Sequence, residues 1–149
     1  MKRIFIILVI IGIVAFIIFG FWIDNRSSRN AQEKVGYLLR NGNCCIGSIA
    51  EIRSSHLKGG SYLSSVVYEY QINNEKLENT NGLQTIKAIS KEAERRLNYD
   101  LSKGERFLVV YDPANPENSL LLLDRPIEKE GDFERYVKEM EQMRNNNGR

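Results

Sequence analysis

Residues Ile4 to Ile23, IFIILVIIGIVAFIIFGFWI, form a run of twenty residues without a charge, and no other feature restricts the fold of this 149-residue chain as much. A helix of that length rises about 30 Å, the hydrocarbon thickness of a bilayer. It also satisfies its own backbone hydrogen bonds where water does not reach. Phe21 and Trp22 stand at the far end, where aromatic rings favour the interface, and Asp24, Asn25 and Arg26 close the run. The basic start Met1-Lys2-Arg3 would also suit a cleaved signal peptide. The run is longer than the usual apolar region of about 7–15 residues, however, and no small-x-small site follows it. The expectation is an uncleaved transmembrane anchor over residues 1–25 in the cell membrane, crossing once. Lys2 and Arg3 hold the N-terminus in the cytoplasm, whereas Arg26, Arg29, Lys34 and Arg40 pull the other way. A very short tail ahead of a strong anchor leaves the remainder translocated, so the soluble part is expected outside the cytoplasm.

Charge is uneven along the chain. Residues 1–29 carry a net +3, and the remaining 120 residues, with 17 bases and 18 acids, carry −1. A nearly neutral body lacks the basic face that a nucleic-acid binder needs. Two adjacent cysteines, Cys44 and Cys45, exclude a disulfide framework and a four-thiolate zinc site. On a strand they point to opposite faces, one expected in the core and the other exposed.

After the anchor, Ala31, Val35, Leu38 and Leu39 recur at helical spacing, so residues 26–43 read as a helical stalk that packs on the domain. Asn41-Gly42-Asn43 supplies its C-cap and turn. The period then changes to two. Strands are expected over 44–52, 64–72, 76–80, 106–112 and 119–123, the first three as a meander turned by Asn73-Asn74-Glu75. One helix over 86–97 is inserted before the Lys103-Gly104 turn, with Ser90 as an N-cap. The fold class is therefore mainly β with flanking helices: a small five-stranded antiparallel sandwich or open barrel over residues 44–127. Residues 128–149 hold an amphipathic C-terminal helix and tail. Phe133, Tyr136, Val137, Met140 and Met143 form one stripe of that helix, which docks on the domain or on another chain.

Candidate sites are few. Tyr111-Asp112-Pro113-Ala114-Asn115-Pro116 reads as a rigid corner, since Asp and Asn side chains accept backbone N–H groups and proline fixes φ. Its prolines end the fourth strand. His56 is the sole histidine, near Ser54, Ser55 and Ser61, but no nucleophile elbow accompanies it. Gly59-Gly60 lacks the length and ending of a phosphate loop. Glu51, Glu69 and Glu78 fall on separate strands and read as a solvated sheet face rather than an acid/base pair.

Gly47-Ser48-Ile49-Ala50, the alternating Val67-Tyr68-Glu69-Tyr70, the Lys103-Gly104 turn and Val109-Val110-Tyr111-Asp112-Pro113-Ala114-Asn115-Pro116 with the later Ser119 form a pattern. Over residues 44–124 it resembles the DUF3592 family of bacterial membrane-associated proteins. The resemblance implies a small extracytoplasmic β domain held between two spanning helices, and it carries no assigned chemistry. This chain departs from that plan: only the charged amphipathic helix follows Leu123.

The expected function is non-catalytic, a single-pass membrane-anchored module that binds another envelope protein or complex. The expected partners are the lipid bilayer and that protein, with a homo-oligomer as a further arrangement, and no cofactor, metal or nucleic acid. A membrane-anchored immunity protein against a toxin is the first alternative, and an envelope enzyme acting on a small molecule is the second. The enzyme would need a deep pocket converging on His56 or on the Tyr111–Asn115 corner.

Overall fold

The computed structural model describes the backbone of residues 2–56, 62–99 and 101–147, and their side chains apart from 2–11, 21, 23, 24, 54–56, 62–64, 99 and 147. The sole histidine's side chain, and those of Ser54, Ser55 and Ser61, therefore lie outside the described residues, as does part of the expected anchor. Among the described residues no helix is long and apolar enough to cross a membrane.

The apolar run and the expected stalk are one helix, α1 (Lys2–Asn41). Its distal third buries Ala31, Val35 and Leu38, the stripe read from the sequence. The helix ends where Gly42 N–H donates to Leu38 O at 2.8 Å. Gly42 is not needed there for a left-handed φ, since among the described residues the positive-φ glycines are Gly104 and Gly131. It is needed for space, because a Cβ would lie 2.5 Å from Val110 Cγ1 and 2.7 Å from Leu38 O.

Five strands follow: β1 (Asn43–His56), β2 (Tyr62–Ile72), β3 (Glu75–Gly82), β4 (Arg106–Asp112) and β5 (Asn115–Pro126). They form one antiparallel sheet in the order β3-β2-β1-β4-β5, so a single curved sheet replaces the sandwich alternative. The β2–β3 turn is Asn73-Asn74, both at positive φ (52° and 66°), the two-residue hairpin whose twist matches its strands. β1 carries an irregularity between Ile49 and Glu51, and such a bulge bends a strand and increases its twist.

Between β3 and β4 the expected single helix is two, α2 (Leu83–Ile89) and α3 (Lys91–Tyr99). Ser90 is the reason for the break. Its backbone is extended (φ −169°, ψ 163°), and its Oγ accepts from Ala93 N–H at 3.1 Å, so it caps the second helix while ending the first. β5 is also longer than the stretch 119–123 expected from apolarity alone. Pro116 lies inside it, which is tolerated because β5 is an edge strand and proline there gives up no ladder bond.

Curvature gives the sheet two cores. Ile49, Val66, Tyr68, Ile86, Phe107, Val109, Leu121 and Leu123 pack on the concave face with α2 and α3. Val35, Leu38, Leu108, Val110, Leu120, Leu122 and Met140 pack on the convex face, under α1 and α4 (Asp132–Asn147). β4 and β5 are thus buried on both sides, which is why Phe107–Val110 and Leu120–Leu123 read as continuous apolar runs instead of alternating.

The open edges of the half-barrel, β3 and β5, meet through side chains. Asn79 Nδ2 donates to Glu117 O at 2.6 Å and to Ser119 Oγ at 2.9 Å, and Asn81 Nδ2 donates to Leu121 O at 2.8 Å. Tyr68 Oη shares a 2.9 Å hydrogen bond with the buried Ser119 Oγ.

Candidate functional site

The convex face is only half covered. α1 and α4 lie over β4 and β5, whereas most side chains of β1, β2 and β3 on that face, apart from Cys44 and the buried Val67, meet solvent. Strand alternation brings Ile46, Ser48, Glu69, Gln71, Lys76 and Arg106 together on this open half, with Ser48 opposite both Glu69 and Arg106 and Gln71 opposite Lys76. They line a groove of about 360 Å³. A second depression of about 290 Å³ shares Ile46 and Arg106 and continues to Ile127, Lys129 and Phe133 at the start of α4. The two form one surface channel along the rim of the covered half.

Most charges on this face are answered locally. Lys76 Nζ lies 2.7 Å from Glu69, and Arg53 lies 2.8 Å from Glu51. The Arg53 guanidinium holds the Glu51 carboxyl below its usual range, and Glu51 and Glu78 in turn raise Arg53. Glu51, Glu69 and Glu78 therefore belong to a solvated, cross-paired sheet face. Arg106 has no carboxylate within 4 Å among the described residues, and Ile46 beside it is 39% exposed. An exposed aliphatic side chain therefore stands beside a guanidinium that no carboxylate neutralises. Alternation alone put Ile46 on a strand; its exposure follows from where α1 and α4 stop, which periodicity does not encode.

The helical stripe expected to dock on the domain or on another chain is turned largely toward the domain, because the convex face of β4 and β5 is the nearest uncovered apolar surface. Met140 is 1% exposed, and Phe133, Tyr136 and Val137 are half-buried in the same core, while Met143 is 42% exposed. Arg125 and Arg135 lie over the Tyr136 ring at 5.5 and 4.7 Å from its centroid. Arg144, near the end of α4, donates to Leu39 O at 2.9 Å and Gly42 O at 2.6 Å, placing a cation on the carbonyl end of α1. Only Phe133 of the stripe reaches the surface channel.

The Tyr111–Pro116 corner is the β4–β5 hairpin turn. Asp112 pairs with Asn115 across Pro113-Ala114, and Asp112 Oδ1 accepts from Ala114 N–H at 2.9 Å. Its other oxygen accepts from Tyr37 Oη at 3.2 Å, which ties the turn to α1 and raises the Tyr37 pKa. Pro116 O accepts from Tyr70 Oη at 2.6 Å, which ties it to the concave core. Tyr111 lies half-buried opposite Ser119. These bonds join the corner to α1 on one side and to the concave core on the other.

Cys44 and Cys45 do face opposite sides, Cys44 toward the convex core and Cys45 toward the concave one, but both are half-buried. Burial pushes the Cys45 thiol up to about 12, and burial also raises Cys44, against the opposing pull of Arg144. Such thiols are poor nucleophiles. Among the described residues no three His, Cys, Asp or Glu side chains converge as metal ligands. A cavity of about 540 Å³ between α3 and the β4 and β5 ends is lined by Arg96, Arg106, Glu105 and Glu128 in mixed charge.

No curated protein and no solved structure matches the chain. A family model described as a domain of unknown function, DUF3592, matches residues 46–126. The match starts at the groove residue Ile46 and ends at the last residue of β5, leaving α1 and α4 outside. It spans more than half of the 149 residues and coincides with the curved sheet and its two inserted helices, so the chain belongs to the DUF3592 family.

Proposed function

We propose that this protein is a non-catalytic, single-pass membrane module whose β domain lies outside the cytoplasm and binds another envelope protein through the channel at Ile46 and Arg106. The observation that carries the reading is the pairing of that channel with an apolar helix whose described side chains between Ile13 and Trp22 are left exposed. Ile13, Phe16, Ile17, Ile18, Phe19 and Trp22 are all more than half exposed, and Phe16 reaches 80%. A helix apolar on every side requires lipid or a partner to cover it, and the charge-free run Ile4–Ile23 has the bilayer's length. The stalk half of the same helix is packed on the domain, so a bilayer anchor would hold the channel at a set height above the membrane.

A photo-crosslinking residue at Ile46 tests the binding face in solubilised membranes of the native cell, with the same residue at Asn115 as a control at the other end of the sheet. The expected result is a crosslink to a different membrane or envelope protein from position 46 and none from 115. Arg106→Glu should weaken that crosslink about tenfold or more, the effect of losing an interface anchor. Crosslinks to a second copy alone, or equal yields from both positions, would overturn the reading.

A further inference from the structure

We propose that Trp22, Arg26 and Arg29 form a binding site for the headgroup phosphate of an anionic phospholipid. The inference rests on reading Ile4–Ile23 as a membrane anchor. Spacings of four and three residues put the three side chains on one face of α1. With Asn25, Asn30 and Glu33 they line a depression of about 330 Å³. Trp22, both arginines and both asparagines offer N–H donors toward it, and the single acid, Glu33, stands at the end farthest from the apolar run.

Depth fits the chemistry. At about 1.5 Å per residue, Arg26 and Arg29 lie roughly 4.5 and 9 Å beyond Ile23. The polar headgroup layer occupies about 5–8 Å on each side of the hydrocarbon. Arg26 therefore stands within that layer, and Arg29, with its backbone just beyond it, leans back toward it because helical side chains tilt toward the N-terminus; guanidinium binds phosphate through parallel N–H bonds.

Their unpaired state points the same way. Arg53, Arg95, Arg96, Arg125 and Arg135 each lie within 4 Å of a carboxylate, and Arg144 caps α1. Arg26 and Arg29, like Arg40 and Arg106, have no such partner among the described residues. Arg26 instead stacks over Trp22, 5.4 Å from the ring centroid, which holds its charge at the interface.

Trp22 is the only tryptophan, so it reports on its own site. The full chain is reconstituted in vesicles of phosphatidylcholine and phosphatidylglycerol in which one lipid at a time carries brominated chains that quench fluorescence. At equal mole fraction, brominated phosphatidylglycerol should quench Trp22 with an apparent association about fivefold or more above that of phosphatidylcholine. Arg26→Gln with Arg29→Gln should bring the ratio to about one while quenching itself persists. Equal quenching by both lipids in the unaltered protein would overturn the headgroup site and leave the anchor standing, as would a preference that survives the double substitution. Loss of the preference on adding millimolar inorganic phosphate would make it a free-phosphate site and also overturn the proposal. No quenching by either lipid would overturn the anchor itself.

Discussion

Gly47 faces Phe107 across the β1–β4 ladder, and a Cβ there would sit 2.5 Å from Val109 Cγ2 and 3.0 Å from Glu69 O. The second of these is backbone and gives little. Gly47→Ala should therefore destabilise the domain by about 1–3 kcal/mol, the usual cost of overpacking. Gly36→Ala on α1, where the nearest atom is the end of Arg40 at 3.9 Å, should be neutral or stabilising by up to about 1 kcal/mol. Thermal unfolding of the full chain in detergent, followed by circular dichroism, separates the two. If both substitutions behave alike, the close approach of β1, β2 and β4 at Gly47 is wrong. Neither role was visible from the residue name. A glycine in a strand signals a bulge or a close neighbour, and only the packed sheet says which. The asparagines of β3 are similar: the expected strand over 76–80 gave Asn79 no role and stopped short of Asn81, yet both bridge the seam to β5.

Elements show the same division. The C-terminal helix was legible from its stripe, because a period of 3.6 is a local property of the sequence. What covers the stripe was not, since that depends on how much convex face α1 leaves free. Met140 fills that space, so Met140→Ala should cost about 2–4 kcal/mol, as truncation of a buried methionine does. Met143→Ala, at an exposed position, should stay within about 0.5 kcal/mol. Equal effects in the same unfolding measurement would mean that α4 does not dock as described. The insert between β3 and β4 is a milder case. Ser90 was recognisable as a cap, but a cap inside a helical stretch divides it, and two short helices can bend around the end of the half-barrel where one could not.

For the molecule as a whole, the concave core carries groups that must stay protonated. Burial raises Cys45, to about 12, and raises Tyr68 and Tyr70 as well. In the unfolded chain these groups ionise at about 8.5 for cysteine and about 10 for tyrosine. Above that range the unfolded state sheds protons that the folded state keeps, so stability is present below about pH 8.5 and is lost as pH rises toward 12. The melting temperature should fall steadily between about pH 9 and 11, and Cys45→Ala should flatten the first part of that fall. A melting temperature that is level to pH 11 would contradict the buried placement of these side chains.

Local composition and periodicity by themselves determined the charge-free apolar run, the five strands and the Asn73-Asn74 and Lys103-Gly104 turns, because each of these is written in neighbours along the chain. Only the tertiary structure decided that the sheet is one curved layer with two cores, that its edges are joined by asparagine side chains, that Met140 is hidden and that Ile46 and Arg106 are left open. Those outcomes depend on which surface each helix covers, and a covering contact between residues a hundred positions apart, such as Arg144 on Leu39, has no local signature.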